Sequence, residues 1–336
     1  MGEFELIQRY FTRSSPGAIV GVGDDCAILQ TAPGMQLAIS TDMLVAGRHF
    51  SPDVDPHALG HKALAVNLSD LAACGARPLA FTLALALPSA DAAWLDPFSA
   101  GLWELADAHG CELIGGDTTR GPLNLCITVF GEVPGDAAEP THTHALLRSG
   151  ARDGDDVYVS GTLGEAALGL QHLLGKLHLD ALAAAACRAR LERPTPRVAL
   201  GLALRGIASA CADVSDGLLG DLGHILERSA VGAQLEDAAV LACCPWTDRG
   251  IDAQLLRDCV LSGGDDYELV FTAAPAHAAA VAAAAHASGT PVRRIGCITA
   301  RPGLRVVDNA GHAMTADGGG FDHFAQDDNL QPGTAA

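Results

Sequence analysis

The chain has 336 residues and a formal net charge of −19; 49% of its residues are apolar and only 4% are aromatic. Chains longer than about 250–300 residues usually split into domains, so we expect two, with cores packed from small aliphatic side chains. The acidic charge and the lack of any run of Lys or Arg argue against nucleic acid or an anionic membrane as a partner. Phosphate ligands are compatible with such a chain, because clustered carboxylates can bind them through divalent cations.

Helix and strand patterns alternate in the first part of the chain. The periodicity predicts, in order, a short amphipathic helix, two strands, a long helix, a strand, a second long helix and two strands, at 3–11, 21–29, 36–41, 56–75, 79–87, 92–109, 112–114 and 124–133. Strand 79–87 is apolar at nearly every position, which indicates that both of its faces are covered. We therefore predict an N-terminal α/β domain over residues 1–137.

A second α/β segment follows a stretch without periodicity. Residues 134–144 are rich in Gly, Pro, Ala, Thr and His, which is typical of a linker or a long surface loop, so we expect the domain boundary there. Beyond it the pattern predicts strands at 157–160, near 210, and at 267–272, 292–299 and 304–307, with helices between them. We predict a C-terminal α/β domain over 145–325 and a disordered tail over 326–336.

The cysteines and the apolar segments indicate a cytoplasmic protein. The ten cysteines are scattered and include no C-x-x-C pair, so reduced thiols are the simplest interpretation. The longest apolar stretch, 78–88, has about half of the ~20 residues that cross a bilayer. No export signal is recognisable. We expect neither a membrane nor nucleic acid as a partner.

Acidic residues recur in short motifs that also contain Gly, Ser or Thr. Six such motifs occur, at Gly21–Asp25, Ile39–Asp42, Asn67–Asp70, Gly115–Thr119, Asp213–Gly217 and Ser262–Asp266. Glycine lets a ligand approach the backbone, and a hydroxyl adds a neutral oxygen beside the carboxylate, a donor set that suits Mg²⁺ or Mn²⁺. A single Asp beside Gly more often caps a helix or closes a turn. Six motifs at or near element ends in both domains favour a shared ligand site.

Two common phosphate-binding devices do not occur in the sequence. There is no G-x-x-x-x-G-K-[ST] motif and no H-R-D loop, and Gly21-Val22-Gly23 lacks the third glycine of a dinucleotide-binding fingerprint. Any kinase activity must therefore belong to another class of phosphotransferase.

The acidic motifs and their neighbours follow one another in a distinctive order. They are Gly-Val-Gly-Asp-Asp-Cys-Ala, Ser-Thr-Asp-Met-Leu-Val-Ala-Gly-Arg-His-Phe, Asn-Leu-Ser-Asp-Leu-Ala-Ala-Cys-Gly-Ala, Gly-Gly-Asp-Thr-Thr-Arg-Gly, Arg-Ser-Gly-Ala, Asp-Val-Ser-Asp-Gly-Leu and Gly-Gly-Asp-Asp-Tyr-Glu-Leu. In this order they resemble the thiamine-monophosphate kinase family, within the PurM-like ATP-binding superfamily, from Gly2 to about Phe324. The resemblance implies a two-domain PurM-like α/β architecture in a homodimer whose N-terminal domains pair.

The resemblance also implies an activity and the residues that perform it. The family transfers a phosphoryl group from ATP to thiamine monophosphate, with several Mg²⁺ ions between the two, and direct in-line transfer needs no covalent intermediate. By matching motifs, the metal ligands would be Asp25, Ser40, Thr41, Asp42, Asp70, Asp117, Asp213 and Asp216. The ATP contacts would be Gly116, Asp117, Arg148 and Ser215. The catalytic residues would be Asp42, Asp117 and Arg148.

Three further positions match the family's contacts to thiamine monophosphate: His49, Asp265 and Phe321. The family often has Glu at the first acid of the Gly-Gly-Asp-Asp motif and Tyr at the later aromatic, so this chain has a shorter carboxylate and lacks a phenol hydroxyl there. Stacking on the thiamine rings does not need that hydroxyl. Without the resemblance, His49 is interpreted as a half-buried histidine, Arg148 as a surface cation and Phe321 as a core residue.

Other interpretations differ in features that the sequence can be checked for. Selenophosphate synthetases carry a reactive Cys near the N-terminus, whereas no Cys precedes Cys26, and hydrogenase-maturation relatives end in a cysteine that this sequence lacks. Aminoimidazole ribonucleotide synthetases lack the Ser-Thr-Asp-Met-Leu-Val-Ala-Gly-Arg-His-Phe block. A non-catalytic, cation-binding scaffold would also account for the clustered acids.

Overall fold

The computed structural model describes residues 2–23, 25–136, 138–139 and 141–314. Its N-terminal elements are α1 (Glu3–Leu6), continued by a π-helical turn (Ile7–Phe11), β1 (Ala18–Val20), β2 (Ile28–Leu29), β3 (Met35–Val45), α2 (Pro56–Ala73), β4 (Arg77–Leu87), α3 (Ala92–His109), β5 (Glu112–Arg120) and β6 (Asn124–Pro134). Strands β1 and β2 pair with each other, and a four-stranded sheet has the order β3-β6-β4-β5. Strands β3 and β5 are therefore the two edges of that sheet.

Helices α2 and α3 pack against the four-stranded sheet and against each other. Helix α2 begins after Asp55, whose side chain accepts a hydrogen bond from the backbone N–H of His57 at 3.2 Å. The helices approach closely, since an added Cβ at Gly60 would lie 2.0 Å from the carbonyl oxygen of Phe98, and one at Gly101 would lie 1.9 Å from that of His57. Glycine at both positions thus sets the distance between the helices.

The C-terminal elements form a seven-stranded sheet covered by helices. They are β7 (Asp156–Ser160), α4 (Glu165–Leu173), α5 (Ala181–Glu192), α6 (Val198–Leu204), β8 (Ala210–Val214), α7 (Leu218–Ser229), β9 (Gly232–Glu236), α8 (Asp237–Leu241), α9 (Ala253–Ser262), β10 (Glu268–Ala273), a 3₁₀ turn (Pro275–His277), α10 (Ala278–Ser288), β11 (Val292–Thr299), β12 (Gly303–Val307) and β13 (Ala313–Met314). The strand order is β13-β12-β9-β11-β7-β10-β8, with β8 at one edge.

Helix α2 joins the two halves of the molecule. The buried cluster around α2 includes Leu269 and Phe271 of β10, whereas a second buried cluster is built from C-terminal residues alone. Helix α6 meets the end of α2 closely, because a Cβ at Gly201 would lie 2.0 Å from the carbonyl oxygen of Ala72. The last turns of α2, which carry Asp70, also contact strand β8 through the hydrogen bond from Ser69 to Asp213.

The mixed α/β character predicted from the sequence is confirmed, and α2, β4 and α3 appear close to their predicted bounds. The predicted strand 21–29 is wrong, since only Ile28–Leu29 is a strand there and Gly23, at φ +125°, belongs to a turn. The sequence patterns do not predict β9, α8 or α9, of which β9 and α8 have only five residues each. No helix in the described ranges combines the length and apolarity that crossing a bilayer requires. The predicted tail 326–336 lies outside the described residues.

Candidate active site

A cleft of about 940 Å³ opens where β3 and α2 face the loops that follow β8 and α9. It brings together seven of the residues predicted for metal, nucleotide and substrate binding, namely Asp42, His49, Asp70, Asp213, Ser215, Asp216 and Asp265. The sequence placed these acids at or near element ends; Asp70 does lie near the end of α2, which ends at Ala73, whereas Asp42 lies within β3. The cleft is thus built from strand β3, from the last turns of α2 and from loops of the C-terminal half.

Strand β3 is fixed against α2 by two hydrogen bonds beside the predicted metal ligands. The hydroxyl of Ser40 donates to Asp70 Oδ2 at 2.5 Å, and the backbone N–H of Asp42 donates to Asn67 Oδ1 at 3.0 Å. Burial raises the pKa of Asp42 to about 6, and the negative charges of Asp70 and Asp216 add to the effect. Burial also raises the pKa of Asp70, although the Ser40 hydroxyl and the positive charge of Arg148 oppose it.

Asp213 lines the cleft near the end of β8. It is 4% exposed, and Ser69 on α2 donates a hydrogen bond to its Oδ2 at 2.8 Å. Burial raises the pKa of Asp213 and the charge of Asp70 raises it further. Within the described chain, none of Asp42, Asp70 and Asp213 forms an ion pair with Lys or Arg. We call these three side chains, which no Lys or Arg in the described ranges contacts as an ion pair, the cleft acids.

The turn that carries Ser215 and Asp216 is held by a residue that sequence reasoning missed. Asp221, in the first turn of α7, accepts hydrogen bonds at Oδ2 from the backbone N–H groups of Ser215 and Asp216 at 3.0 and 3.1 Å. Asp221 is 2% exposed, and burial raises its pKa to about 6 in spite of these two hydrogen bonds. Gly217, at φ +114°, allows the chain to pass from β8 into α7. Asp221 thus positions the two predicted ligands through their backbone.

The loop after α9 is locked against the same turn. The backbone N–H of Asp265 donates to the carbonyl oxygen of Ser215 at 2.8 Å, and an added Cβ at Gly264 would lie 2.5 Å from that oxygen. Asp265 and Tyr267 adopt left-handed backbone conformations, with φ values of +68° and +50°. Such values are uncommon for residues other than Gly and persist where the surroundings enforce them. The loop therefore holds Asp265 in a fixed backbone position at the cleft.

A buried lysine contacts both predicted substrate residues in the cleft. The Nζ atom of Lys62 on α2 donates to Asp265 Oδ1 at 2.7 Å and lies 3.4 Å from the carbonyl oxygen of His49. The Lys62 side chain is 3% exposed. The ring of His49 is itself held, because its Nδ1 accepts a hydrogen bond from the backbone N–H of Val45 at 3.0 Å. One ammonium group therefore links the turn after β3 to the loop after α9.

The sequence contains a signal for the missed residues of α2. Lys62, Val66 and Asp70 are spaced by four residues, which places them on one face of the helix. Helix α2 is otherwise composed mainly of small and aliphatic residues, so its polar members, including Asn67 and Ser69, stand out. A polar stripe on a helix that is buried all round points to a shared polar cavity.

Asp25, Gly116 and Asp117 lie apart from the cleft acids. They line a second cavity of about 720 Å³, next to α1 and its π-helical turn. The sheet register pairs Asp42 with Ile127, Ile127 with Leu83, and Leu83 with Gly116. Three strand spacings of ~4.8 Å put the two edges ~14 Å apart. Asp42 and Asp117 therefore cannot bind the same ion within one chain.

Three other predicted residues are placed differently from the cleft group. The hydroxyl of Thr41 lies 2.8 Å from that of Thr128, and strand alternation puts it on the opposite face of β3 from Ser40 and Asp42. Arg148 is exposed and does not line the cleft, although its positive charge lowers the pKa of Asp70 against the larger effect of burial. Phe321 lies outside the described residues.

The chemistry of the cleft acids fits Mg²⁺. In the described ranges, no three His, Cys, Asp or Glu side chains already form a ligand set for one ion. Mg²⁺ at phosphoryl-transfer sites is usually held by one or two carboxylates, while substrate phosphates and water complete its coordination. Burial raises the pKa of Asp42, Asp70 and Asp213, and neighbouring negative charges raise the pKa of Asp42 and Asp213 further, an effect that a divalent cation would offset.

Comparisons with known proteins agree over almost the whole chain. The family profile of the AIR synthase related protein, N-terminal domain, matches residues 23–133, and that of the C-terminal domain matches residues 152–309. Thiamine-monophosphate kinase of Escherichia coli (strain K12) is 46% identical over 332 residues, which cover 96% of this chain and 98% of the relative.

Solved structures agree as well. The crystal structure of thiamine-monophosphate kinase from Stenotrophomonas maltophilia K279a is 43% identical, covers 93% of this chain and 96% of its own, and has a TM-score of 0.80. The structure of AaThiL complexed with AMPPCP and TMP is 27% identical, covers 88% of this chain and 89% of its own, and has a TM-score of 0.74.

These similarities confirm the two-domain PurM-like architecture expected from the motifs. They also favour the kinase over the related enzymes considered above, because identity to the kinases reaches 46% over nearly the full chain. The chain belongs to the thiamine-monophosphate kinase family and is a phosphotransferase.

Proposed function

We propose that the protein transfers the terminal phosphoryl group of ATP to thiamine monophosphate, giving thiamine diphosphate, by Mg²⁺-assisted in-line transfer. The observation that carries this proposal is the single cleft in which uncompensated carboxylates lie beside His49 and Asp265. The carboxylates suit cations that hold phosphate groups, and the other two residues suit a polar, ring-containing ligand. The family relationship supports the same substrates, since AaThiL forms a complex with AMPPCP and TMP.

The roles of the chain's own groups follow from their contacts. The cleft acids and Asp216 would hold Mg²⁺, which when bound neutralises the phosphates and polarises the transferred group. The backbone N–H of Ser215 is engaged by Asp221, so its hydroxyl is the donor available to a nucleotide phosphate. The attacking phosphate oxygen is already ionised near neutral pH, so transfer needs no strong base from the protein. Arg148 would add positive charge at the rim.

The same proposal includes a homodimer that completes the site. Four apolar side chains on alternate positions of β3 are exposed, at 46% for Leu37, 58% for Ile39, 55% for Met43 and 37% for Val45. A soluble chain rarely leaves such a stripe uncovered. If edge β3 of one subunit pairs with edge β5 of the other, two four-stranded sheets close on each other. Asp117 of the partner subunit then lies beside Asp42.

An assay with two acceptors tests the activity. The protein is incubated with ATP and Mg²⁺ and with either thiamine or thiamine monophosphate, and the products are separated by chromatography. We expect thiamine diphosphate from thiamine monophosphate and almost no product from thiamine, because a bare hydroxyl would leave cation positions without a phosphate and would need a base. Equal turnover of thiamine would contradict the phosphate-acceptor mechanism.

Complementation between inactive variants tests the shared site. We expect Asp42→Asn and Asp117→Asn each to lower the rate roughly 10²-fold, the loss of a few kcal/mol of transition-state stabilisation. Co-expressed, they should recover about a quarter of the wild-type activity, because half of the dimers are mixed and each mixed dimer has one intact site of two. Asp42→Asn with Asp213→Asn is the matched control, since both residues lie in the cleft of one chain, and it should recover nothing.

A further inference from the structure

We infer that Lys62 is a positioning residue for the thiamine monophosphate site, acting through Asp265. This inference rests on the proposed function, because it assumes that Asp265, the carboxylate that Lys62 holds, binds the substrate. Lys62 belongs to the N-terminal half and Asp265 to the C-terminal half, 203 residues further along the chain. The pair therefore ties the substrate loop to the helix that carries the metal ligand Asp70.

Burial distinguishes this pair from an ordinary surface ion pair. The side chain of Lys62 is 3% exposed, whereas that of Asp265 is 31% exposed and lines the cleft. A lysine is almost never buried to this extent unless it is paired, and a buried pair holds its geometry far better than one in solvent. The ammonium group lies behind the carboxylate, and the carboxylate lies between it and the cavity.

The contacts leave one oxygen of Asp265 for a ligand. Oδ1 accepts from Lys62, and within the described residues Oδ2 has no hydrogen-bond donor. The backbone is already fixed by the bond from the Asp265 N–H to Ser215 and by the left-handed conformation, so the side-chain torsions are the remaining freedom. Lys62 restricts those torsions and directs Oδ2 towards the cleft.

The ammonium also changes what Asp265 can recognise. The ion pair has no net charge, so Asp265 is suited to accept a hydrogen bond from an N–H donor more than to attract a cation. The aminopyrimidine of thiamine offers such a donor. A weaker contact from Lys62 to the carbonyl oxygen of His49, at 3.4 Å, links the second predicted substrate residue to the same group.

Steady-state kinetics of four variants test this role. Lys62→Met keeps the aliphatic stem and removes the charge, Asp265→Asn keeps the shape, and the third variant combines the two. Arg257→Met is the matched control, because Arg257 forms two 2.9 Å hydrogen bonds to Asp237, is 20% exposed and does not line the cleft. KM is measured for thiamine monophosphate and for ATP in turn, together with kcat and the unfolding temperature.

We expect Lys62→Met to raise KM for thiamine monophosphate roughly tenfold, the value of one charge-assisted hydrogen bond, and KM for ATP less than twofold. The double variant should match Asp265→Asn, because Lys62 acts through that carboxylate. The control should lower only the unfolding temperature. A double variant whose KM rises by the product of the two single effects overturns the inference, as does an equal rise in both KM values.

Two possible failures have distinct interpretations. If Lys62→Met does not fold, the double variant replaces it, because the double variant leaves no unpaired buried charge. A KM for thiamine monophosphate equal to that of Asp265→Asn supports the role of Lys62. A KM much higher than that of Asp265→Asn contradicts it. If the wild type makes no thiamine diphosphate, the proposed function fails. Normal wild-type turnover with an unchanged KM in Lys62→Met overturns the role of Lys62 alone.

Discussion

Two of the molecule's buried carboxylates, Glu268 and Asp213, differ in the side chains that pair with them. In the C-terminal half, Glu268 is 0% exposed and accepts hydrogen bonds from Arg190 Nη2 at 2.8 Å, Arg197 Nε at 2.6 Å and Ser160 Oγ at 2.5 Å. This is the arginine-paired cluster. In the cleft, Asp213 is 4% exposed and its side-chain partner is the hydroxyl of Ser69. Glu268 is thus neutralised by Arg190 and Arg197, whereas no Lys or Arg pairs with Asp213 in the described chain.

The difference teaches that burial of acids does not by itself mark an active site. Glu268 follows Asp265 by three positions, within the same Gly-Gly-Asp-Asp-Tyr-Glu-Leu motif. Its two arginines make it part of the structural framework, since a buried charge with complete pairing has little left to offer a ligand. The cleft acids lack such partners, and mutual repulsion contributes to the raised pKa of Asp42 and Asp213.

Removal of divalent cations should produce the largest effect. In excess EDTA we expect activity to fall below detection and to return when Mg²⁺ is added beyond the concentrations of chelator and ATP, because the cleft acids otherwise repel the phosphates of both substrates. Full activity in EDTA would show that the cleft acids do not work through cations.

Breaking the arginine-paired cluster should instead cost stability. Arg197→Met leaves Glu268 buried with a single arginine, and we expect a loss of about 3–5 kcal/mol in the free energy of unfolding, typical of breaking a buried pair. Urea denaturation measures it. Arg193→Met is the control, because Arg193 is 40% exposed, its partner Glu104 is 58% exposed, and surface pairs contribute about 1 kcal/mol or less. A loss no larger than that of the control would refute the distinction between the two clusters.

The sequence predicts the local structure well and the long-range pairing poorly. Helix α2 follows from its Asp55 cap and its apolar run, and the gathering of Asp42, Asp70 and Asp213 in one cleft agrees with the motifs. The Lys62–Asp265 pair could not be predicted, because its members are 203 residues apart and only the packing of α2 between the two sheets brings them together.

The position of Asp117 depends on sheet order, which no local pattern encodes. Its motif looks equivalent to that of Asp42, yet the order β3-β6-β4-β5 puts the two strands at opposite edges. The roles of Arg190 and Arg197 are hidden for the same reason, since neither lies within four residues of an acid that it pairs with. Contacts between distant segments, more than residue types, separate structural acids from functional ones.

The smallest expected effect concerns the pH dependence of the metal-free protein. The pKa of Asp42 in the fold is about 6, above its ordinary value of 3.8, because of burial and the charges of Asp70 and Asp216. A carboxyl group with a raised pKa is protonated in the folded and the unfolded chain below about pH 4, so it costs nothing there. Stability is therefore lost progressively between about pH 4, where Asp42 ionises in the unfolded chain, and about pH 6, where it ionises in the folded chain, and above that pH the loss is constant.

Asp42→Asn should therefore stabilise the metal-free protein at pH 8 by about 1–2 kcal/mol, and should leave its stability at pH 4 nearly unchanged. Thermal unfolding in EDTA across this range measures the difference. Asp180→Asn is the opposite control, because hydrogen bonds from the backbone of Ala183 and Leu182 lower the pKa of Asp180, so its contribution to stability is present at neutral pH and disappears on acidification. If Asp42→Asn instead destabilises the protein at pH 8, then groups of the protein itself compensate the charge of the cleft acids, as the arginines do for Glu268.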